Sequence, residues 1–190
     1  MITIRSVTID DAEQILGIYA YYIRNTAVSF EYEVPSVEEF RGRIEKTLRR
    51  YPYLAAEEDG RIVGYTYAGP FSGRTAYDWS AETTIYVDHQ LRKCGIGRKL
   101  YEALETELRK MGVRNLYARI AYPEIEDEYL TKNSARFHEH MGFRLIGEYH
   151  QCGFKFGRWY NAVNMEKIIG DHPDRPEPVR SWSPGASGGF

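Results

Sequence analysis

Apolar residues along this chain recur with two periods, one typical of helices and one typical of strands. Helical spacing runs over residues 15–23 and again over 100–108. Shorter runs rich in β-branched and aromatic residues predict seven strands, at 2–7, 53–57, 61–68, 82–87, 115–120, 143–148 and 162–168. The pair Asp59-Gly60 joins the second strand to the third and is typical of a tight hairpin turn.

Capping residues delimit the four predicted helices. Ser36, with Glu39 three residues later, resembles a capping box and opens a helix that ends near residue 49. Gly112 and Gly142 follow the third and fourth helices and are the residues expected to end them. The resulting order, βααβββαβαββ, predicts a mixed α/β domain with one strand–helix–strand crossover in its middle.

Composition adds limits to this picture. The 190 residues carry 25 Lys and Arg against 27 Asp and Glu, so the formal net charge is −2 and no bulk attraction to nucleic acid or to an anionic membrane is expected. Sixteen Tyr suggest a cleft or an interface lined by aromatic rings, although such rings are more often core and rim. We expect one domain over 1–170, followed by a Pro/Gly/Ser-rich and mobile tail over 171–190.

Cysteines and histidines are too few, and wrongly spaced, for a metal centre. Cys94 and Cys152 cannot form a disulfide framework or a four-thiolate zinc site. His138 and His140 lie two residues apart in a predicted helix and so do not face each other. We therefore expect no metal. Since no apolar run has the length of a signal peptide or a membrane span, we expect a reduced, cytoplasmic setting without a membrane partner.

The sharpest local signal lies between the fourth predicted strand and the third helix. A basic turn there contains Gly95 and Gly97, and a helix begins at once. Backbone N–H groups at a helix N-terminus bind phosphate, and glycines let the backbone come close to it. Lys93 and Arg98 add positive charge, so the turn predicts a phosphate or pyrophosphate site.

This turn lacks the motifs of two common phosphate sites. The P-loop pattern Gly-x-x-x-x-Gly-Lys-Ser/Thr is absent, and Leu100 stands where a dinucleotide-binding loop needs its third glycine. The alternative interpretation is purely structural, a glycine-containing turn before an amphipathic helix.

Further motifs accompany the turn. Arg92-x-x-Gly95-x-Gly97 follows a strand, and the segment SARFHEHMGF stands at 134–143. Together they resemble the GNAT superfamily of acyl-CoA N-acyltransferases, in which the first motif holds the pyrophosphate of coenzyme A and the second begins a helix beside its pantetheine arm. Three other segments are similar to the phosphinothricin acetyltransferase branch, at 76–87, 154–159 and 175–180.

The resemblance implies a fold, a cofactor and an activity. The fold is a mixed, mainly antiparallel central sheet flanked by about four helices, and the protein is a homodimer. The activity is acetyl transfer from acetyl-CoA to the amino group of a small amino-acid-like acceptor, of the phosphinothricin or methionine sulfoximine type. The amine attacks directly in a ternary complex, so Cys94 is expected to be a bystander and not a nucleophile.

The resemblance also implies which residues hold coenzyme A. The expected contacts are Ile85, Tyr86 and Val87 for the pantetheine amides, Arg92, Lys93, Cys94, Gly95, Ile96, Gly97 and Arg98 for the pyrophosphate, and Asn133 and Ser134 for the pantetheine or the leaving sulfur. The family usually has its Asn three residues before the Ser, where this chain has Thr131.

Two residues are candidates for proton transfer. Glu82 begins the fourth strand and shares one face with Thr84 and Tyr86. An α-amino group has a pKa near 8, so a carboxylate partly withdrawn from water would help to deprotonate it at neutral pH. The alternative is a solvated strand-end carboxylate. His138, in the second motif, is either an imidazole that assists proton transfer or a half-buried residue that orients its helix.

The acceptor is the least determined part of this hypothesis. Phe30, Arg74 and Tyr77 lie where the branch builds its amino-acid pocket, and Arg74 suits a substrate carboxylate. The acidic stretch 124–128 is either a solvated loop or a feature that favours a cationic amine. A polyamine, an aminoglycoside or a protein N-terminus are alternative acceptors, and a non-catalytic acyl-CoA-binding module is the alternative from another class. The aromatic segment 154–160 is either core or dimer interface.

Overall fold

The two apolar periods correspond to seven strands and four α-helices within residues 1–91 and 94–184, the parts of the chain that this computed structural model describes. The strands are β1 (Thr3–Ser6), β2 (Tyr53–Glu58), β3 (Arg61–Pro70), β4 (Ser80–Val87), β5 (Asn115–Tyr122), β6 (Arg144–Lys155) and β7 (Arg158–Ile168). The helices are α1 (Ala12–Asn25), α2 (Val37–Leu48), α3 (Ile96–Met111) and α4 (Asn133–His140), with short 3-10 turns at Ile9–Asp11 and Thr75–Tyr77. None of the helices in these ranges is long and apolar enough to cross a membrane.

All seven strands form one sheet, in the order β1-β2-β3-β4-β5-β7-β6. Its neighbours are antiparallel except β4 and β5, which are parallel because α3 carries the chain back between them. This parallel pairing is short, since it joins Ser80–Glu82 to Asn115–Tyr117 and leaves the rest of β4 paired only with β3. The predicted element order and the mixed, mainly antiparallel sheet are confirmed.

The helices cover both faces of the sheet. Helices α1 and α2 pack on one face through buried residues that include Ile15, Ile44 and Tyr65. Helix α3 packs on the other face, where Leu104 and Leu108 join a second core with strands β5 and β7. Because side chains alternate along β4, its residues are shared between these two cores.

Three predicted turn and cap signals have the expected geometry. Asp59 and Gly60 have φ of 51° and 79°, as a tight hairpin with the twist of its strands requires. The Ser36 hydroxyl accepts a hydrogen bond from the Glu39 N–H at 3.1 Å and so caps α2. Gly112 ends α3 with φ of 96°, a conformation that only glycine adopts without strain.

The β6–β7 hairpin is longer than the sequence predicts. Its strands continue through a register shift between Tyr149 and Gly153 and close on a turn at Phe156-Gly157, both with positive φ. The irregular register interrupts the strand pattern in the sequence, which is why the prediction stopped at residue 148 and restarted at 162. The aromatic segment is divided, since Tyr160 is buried and Trp159 is 62% exposed.

The described part of the tail differs from the mobile segment that we expected. Trp182 is buried, and its indole N–H donates to Glu107 on α3 at 2.8 Å. The N–H groups of Arg180 and Trp182 donate to the carbonyls of Met111 and Arg50. Proline and glycine prevent regular structure here, but they do not prevent one aromatic ring from packing. Residues 185–190 lie outside the described ranges.

We expect Trp182 to contribute to stability. Replacing it in Trp182→Ala removes a buried indole and its hydrogen bond to Glu107, and should lower the free energy of unfolding by about 3 kcal/mol. Urea denaturation followed by circular dichroism measures this change. Ser181→Ala, which changes the exposed residue next to Trp182, serves as the control and should keep the full stability. Equal urea midpoints for Trp182→Ala and the unaltered chain would contradict the prediction.

Candidate active site

The site begins where β4 and β5 separate. Beyond Glu82, residues Ile85, Tyr86 and Val87 pair with β3 alone, so the β5-facing edge of β4 is open. An edge of this kind offers backbone N–H and C=O groups to an extended ligand, as an added strand would use them. The three residues expected to contact pantetheine therefore lie on an open strand edge.

The N-terminus of α3 follows directly after this edge. Gly95 precedes the helix with φ of 75°. The Ile96 side chain that follows is buried in the core. Arg98 and Cys94 are exposed. The first N–H groups of a helix have no partner within it, which makes this end suitable for an anion. Arg92 and Lys93, also expected to bind the pyrophosphate, lie outside the described residues.

Gly97 has a packing role that we did not foresee. A Cβ at this position would lie 3.1 Å from two ring carbons of Phe137 on α4. A glycine therefore lets α3 and α4 approach closely, in addition to any close approach of the backbone to a ligand.

Glu82 lies at the fork itself. It is half-buried, and it is in register with Gly69 of β3 on one side and Tyr117 of β5 on the other. Within residues 1–91 and 94–184, no side chain forms a hydrogen bond or ion pair with its carboxylate. A carboxylate in this position is available to accept a proton from a molecule bound in the fork.

An aromatic chain leads away from the fork. The ring of Phe71 lies 4.3 Å from that of Tyr117 and 5.4 Å from that of Tyr77. Tyr77, one of the three expected acceptor residues, is thus connected to the strand position beside Glu82. Arg74 stands just before the same 3-10 turn and is exposed.

Phe30 has a different set of neighbours. It lies in the loop between α1 and α2 and packs against Gly153 of β6 and Tyr160 of β7. The next residue, Glu31, pairs with Arg43 of α2 at 2.7 Å. The structure therefore distributes the expected acceptor residues over two loops.

Tyrosines line the α1-facing side of β3 and β4. The ring of Tyr86 lies 5.0 Å from that of Tyr19 and 5.5 Å from that of Tyr65, and the rings of Tyr53 and Tyr67 lie 4.8 Å apart. Burial raises the pKa of each of Tyr53, Tyr65 and Tyr67. These hydroxyls therefore stay protonated near neutral pH, so the tyrosines add polar but uncharged groups to the face that also carries Glu82. The high Tyr content was the signal for this face, although the sequence did not identify its members.

His138 lies in the opposite core. Its side chain is buried, and its two ring nitrogens lie 2.7 Å from the Ser134 carbonyl and 2.8 Å from the Tyr101 hydroxyl. Because a carbonyl can only accept, Nδ1 carries the proton and Nε2 accepts from Tyr101. Burial lowers the pKa of His138 to about 4.

The Tyr101 hydroxyl connects His138 to β4. It also lies 3.2 Å from the Thr83 hydroxyl, on the face of the strand opposite to Glu82. The structure therefore places the two candidate proton-transfer residues on opposite faces of β4. His138 is buried, more deeply than the half-buried residue of the second alternative.

The acidic stretch is largely paired within the fold. Asp127 accepts hydrogen bonds from the N–H groups of Tyr129 and Leu130, and Arg158 lies 2.9 Å from the carboxylates of both Asp127 and Glu128. Arg158 offsets only one of the four negative charges of the stretch, so these contacts order it without neutralising it, and a cationic acceptor stays an alternative. After it, Asn133 is exposed and Ser134 is half-buried at the start of α4.

No metal centre is apparent in the described part of the chain, where no group of three or more His, Cys, Asp or Glu is placed to hold an ion.

Comparisons with known proteins identify the family of the chain. The family described as "Acetyltransferase (GNAT) domain" matches residues 4–163. The phosphinothricin N-acetyltransferase of Streptomyces viridochromogenes is 32% identical over 179 residues, which cover 94% of this chain and 93% of that protein. The L-methionine sulfoximine/L-methionine sulfone acetyltransferase of Salmonella typhimurium is 29% identical, over 90% of this chain and 96% of that protein.

A solved structure is similar over nearly the whole length. The GNAT superfamily phosphinothricin acetyltransferase of Sinorhizobium meliloti, in complex with AcCoA, has a TM-score of 0.84 and 30% identity to this chain. The match covers 93% of each chain.

We expect His138 to remain neutral well below pH 6.5. Its pKa of about 4 in the folded state lies below that of an exposed histidine in the unfolded chain, so the unfolded chain takes up the proton first as the pH falls. The stability that His138 contributes is therefore complete above pH 6.5 and is lost as the pH falls through 4. NMR titration of the His138 ring Cε1–H measures the midpoint, with His138→Gln to assign the signal. A midpoint near 6.5 would show that the ring is not buried as described.

Proposed function

The chain belongs to the GNAT acetyltransferases, and we propose on that basis that it acetylates the amino group of a small amino-acid-like acceptor, of the phosphinothricin or methionine sulfoximine type. It is an N-acetyltransferase that uses acetyl-CoA. The observation that carries the proposal is the carboxylate of Glu82 at the fork between β4 and β5, which no side chain of residues 1–91 or 94–184 pairs with. A cytoplasmic location stays a prediction from the sequence.

The open edge of β4 and the N-terminus of α3 suit coenzyme A. Backbone groups of Ile85–Val87 would pair with the amides of the pantetheine, and the first N–H groups of α3, with Arg98, would bind the pyrophosphate. Asn133 and Ser134 complete the proposed contacts at the start of α4. Bound there, acetyl-CoA supplies an activated thioester, and the residues of the chain hold it at the fork.

Glu82 is the proposed general base. The acceptor amine is mostly protonated at neutral pH, and Glu82 takes this proton directly or through one water molecule. The free amine then attacks the thioester carbon, the C–N bond forms, the C–S bond breaks, and coenzyme A leaves as the thiol or thiolate. Because the amine attacks directly, Cys94 has no covalent step to perform.

His138 is proposed as a structural residue. Its neutral ring connects the Ser134 carbonyl of α4 to Tyr101 of α3, and Tyr101 in turn contacts β4. This chain of hydrogen bonds fixes the start of α4 relative to the open strand edge, where Ser134 would contact the cofactor.

The acceptor pocket is proposed to lie on the Glu82 side of the sheet. Tyr77 and Phe30 would supply aromatic walls from two loops, and exposed Arg74 would bind the acceptor carboxylate through two hydrogen bonds.

Acetylation of an amine panel tests both the acceptor and the base. We expect release of coenzyme A thiol with methionine sulfoximine or phosphinothricin and little with polyamines or peptides. In Glu82→Gln, kcat/KM should fall by about 100-fold, and the loss should shrink at high pH, where the amine is deprotonated without help. Continuous detection of the thiol gives these rates.

The matched control is Glu58→Gln, which changes another half-buried carboxylate, at the end of β2 beside the β2–β3 turn. It should retain full activity. Activity confined to polyamines would refute the acceptor, and full activity in Glu82→Gln would refute the base.

We also propose that the protein is a homodimer that associates through β6. This strand is the edge of the sheet, and its outer part is exposed, with Leu145 at 57%, Ile146 at 48% and Tyr149 at 49%. Trp159, on the neighbouring strand, is 62% exposed. An unpaired edge with several large apolar side chains is typical of an interaction surface.

A charge on this surface should separate the subunits. We expect Leu145→Glu to shift the protein from dimer to monomer, because it buries a carboxylate in an apolar contact. Sedimentation velocity at several concentrations measures this. Ile125→Glu is the control, since Ile125 is 83% exposed and belongs to the acidic stretch and not to β6. A monomeric unaltered protein, or a dimer that persists in Leu145→Glu, would contradict the proposal.

A further inference from the structure

Lys155 is a buried charge outside the machinery described so far. It stands at the last position of β6 and is only 3% exposed. Its ammonium group donates to three backbone carbonyls, those of Ile23 at 2.8 Å, Thr26 at 2.9 Å and Ser29 at 2.7 Å. An ammonium group has three N–H donors, so all of them are used.

The three carbonyls belong to the end of α1 and to the segment that follows it. Helix α1 ends at Asn25, and its last carbonyls carry the partial negative charge of the helix dipole. A cation placed there compensates this charge and fixes the direction in which the chain leaves the helix. The segment it fixes, residues 26–32, is called here the acceptor loop, because it carries Phe30.

The β6–β7 hairpin holds the acceptor loop at further points. A Cβ on Gly153 would lie 2.2 Å from the Phe30 ring, so only glycine leaves room for that ring. The Tyr32 hydroxyl donates to the Phe154 carbonyl. The hairpin therefore contacts the loop in three ways: through the Lys155 ammonium group, through packing against the Phe30 ring and through the hydrogen bond from Tyr32.

The acceptor loop is also connected to the tyrosine-lined face above β4. The Ser29 hydroxyl lies 2.9 Å from that of Tyr19, whose ring contacts Tyr86 of β4. At its other end, Glu31 pairs with Arg43 of α2. A displacement of the loop would therefore act first on the acceptor side of the fork, whereas toward α4 the loop makes the hydrogen bond from the Ala27 N–H to the Tyr129 carbonyl at 3.0 Å.

We propose that Lys155 is a positioning residue that holds the acceptor loop in place for the acceptor substrate. This inference rests on the proposed function, since it takes Phe30 and its loop to be part of the acceptor pocket. A single lysine between two phenylalanines, at 154–156, is the feature of the sequence that could have indicated a buried charge.

Kinetics of Lys155→Met test this role. Methionine has a similar length but no donors, so the three carbonyls lose their partner. We expect the KM for the acceptor to rise by at least about tenfold, as for the loss of charge-assisted hydrogen bonds, while kcat changes less. The Kd for acetyl-CoA, measured by calorimetry, should stay unchanged. Equal rises in both constants would overturn the proposal, because they would indicate a general loss of structure.

Two further variants make the comparison specific. Lys167→Met removes another lysine of the same hairpin, which pairs with Glu105 on α3 and does not touch the acceptor loop, and it should leave the acceptor KM unchanged. Gly153→Ala keeps Lys155 but displaces the Phe30 ring, and it should raise the acceptor KM as Lys155→Met does. If Lys155→Met does not fold, Lys155→Gln, whose amide keeps two N–H donors, takes its place in the same measurements.

Hydrogen exchange gives a readout that needs no substrate. Amides of residues 27–31 should exchange faster in Lys155→Met than in the unaltered protein, and not in Lys167→Met. Unchanged exchange there would overturn the proposal. If the unaltered protein acetylates no amine of the panel, the proposed function fails, while the exchange experiment still decides whether Lys155 holds the loop.

Discussion

The short parallel pairing between β4 and β5 is the constraint on which the site depends. Three residue pairs hold the two strands together, and the remaining residues of β4 keep one unpaired edge. The crossover through α3 makes the pairing parallel, and it also brings the N-terminus of that helix directly after the open edge. One topological feature therefore places an extended binding edge next to a site suited to phosphate.

Alternation along β4 then separates two kinds of polar group. Glu82 faces the side covered by α1 and α2, with an unpaired carboxylate, whereas Thr83 faces the opposite core and contacts Tyr101. The hydrogen bonds that continue from Tyr101 to His138 are fully enclosed, and burial keeps the imidazole neutral. The strand thus combines a carboxylate suited to proton transfer on one face with a rigid polar support on the other.

The sequence was informative where a signal is local. The Asp59-Gly60 turn, the Ser36 cap and the element order depend on neighbouring residues, and each agrees with the structure. Burial of His138 and packing of Trp182 depend on partners distant in the chain, so the short-range pattern could not reveal them. The same holds for Lys155, whose three carbonyl partners are more than a hundred residues away.

The β6–β7 hairpin connects the proposed dimer surface to the proposed acceptor pocket. At the turn end of β6, Lys155 and Gly153 contact the acceptor loop. At the other end of the same strand, Leu145 and Tyr149 are exposed to solvent. Strand β6, at the edge of the sheet, is paired with β7 on one side only. Its stability therefore depends on β7 and on whatever covers its other edge. A second copy on β6 would therefore stiffen the element that holds the acceptor loop. On this argument, subunit association and acceptor affinity are coupled through one hairpin, although no residue of the partner needs to enter the site.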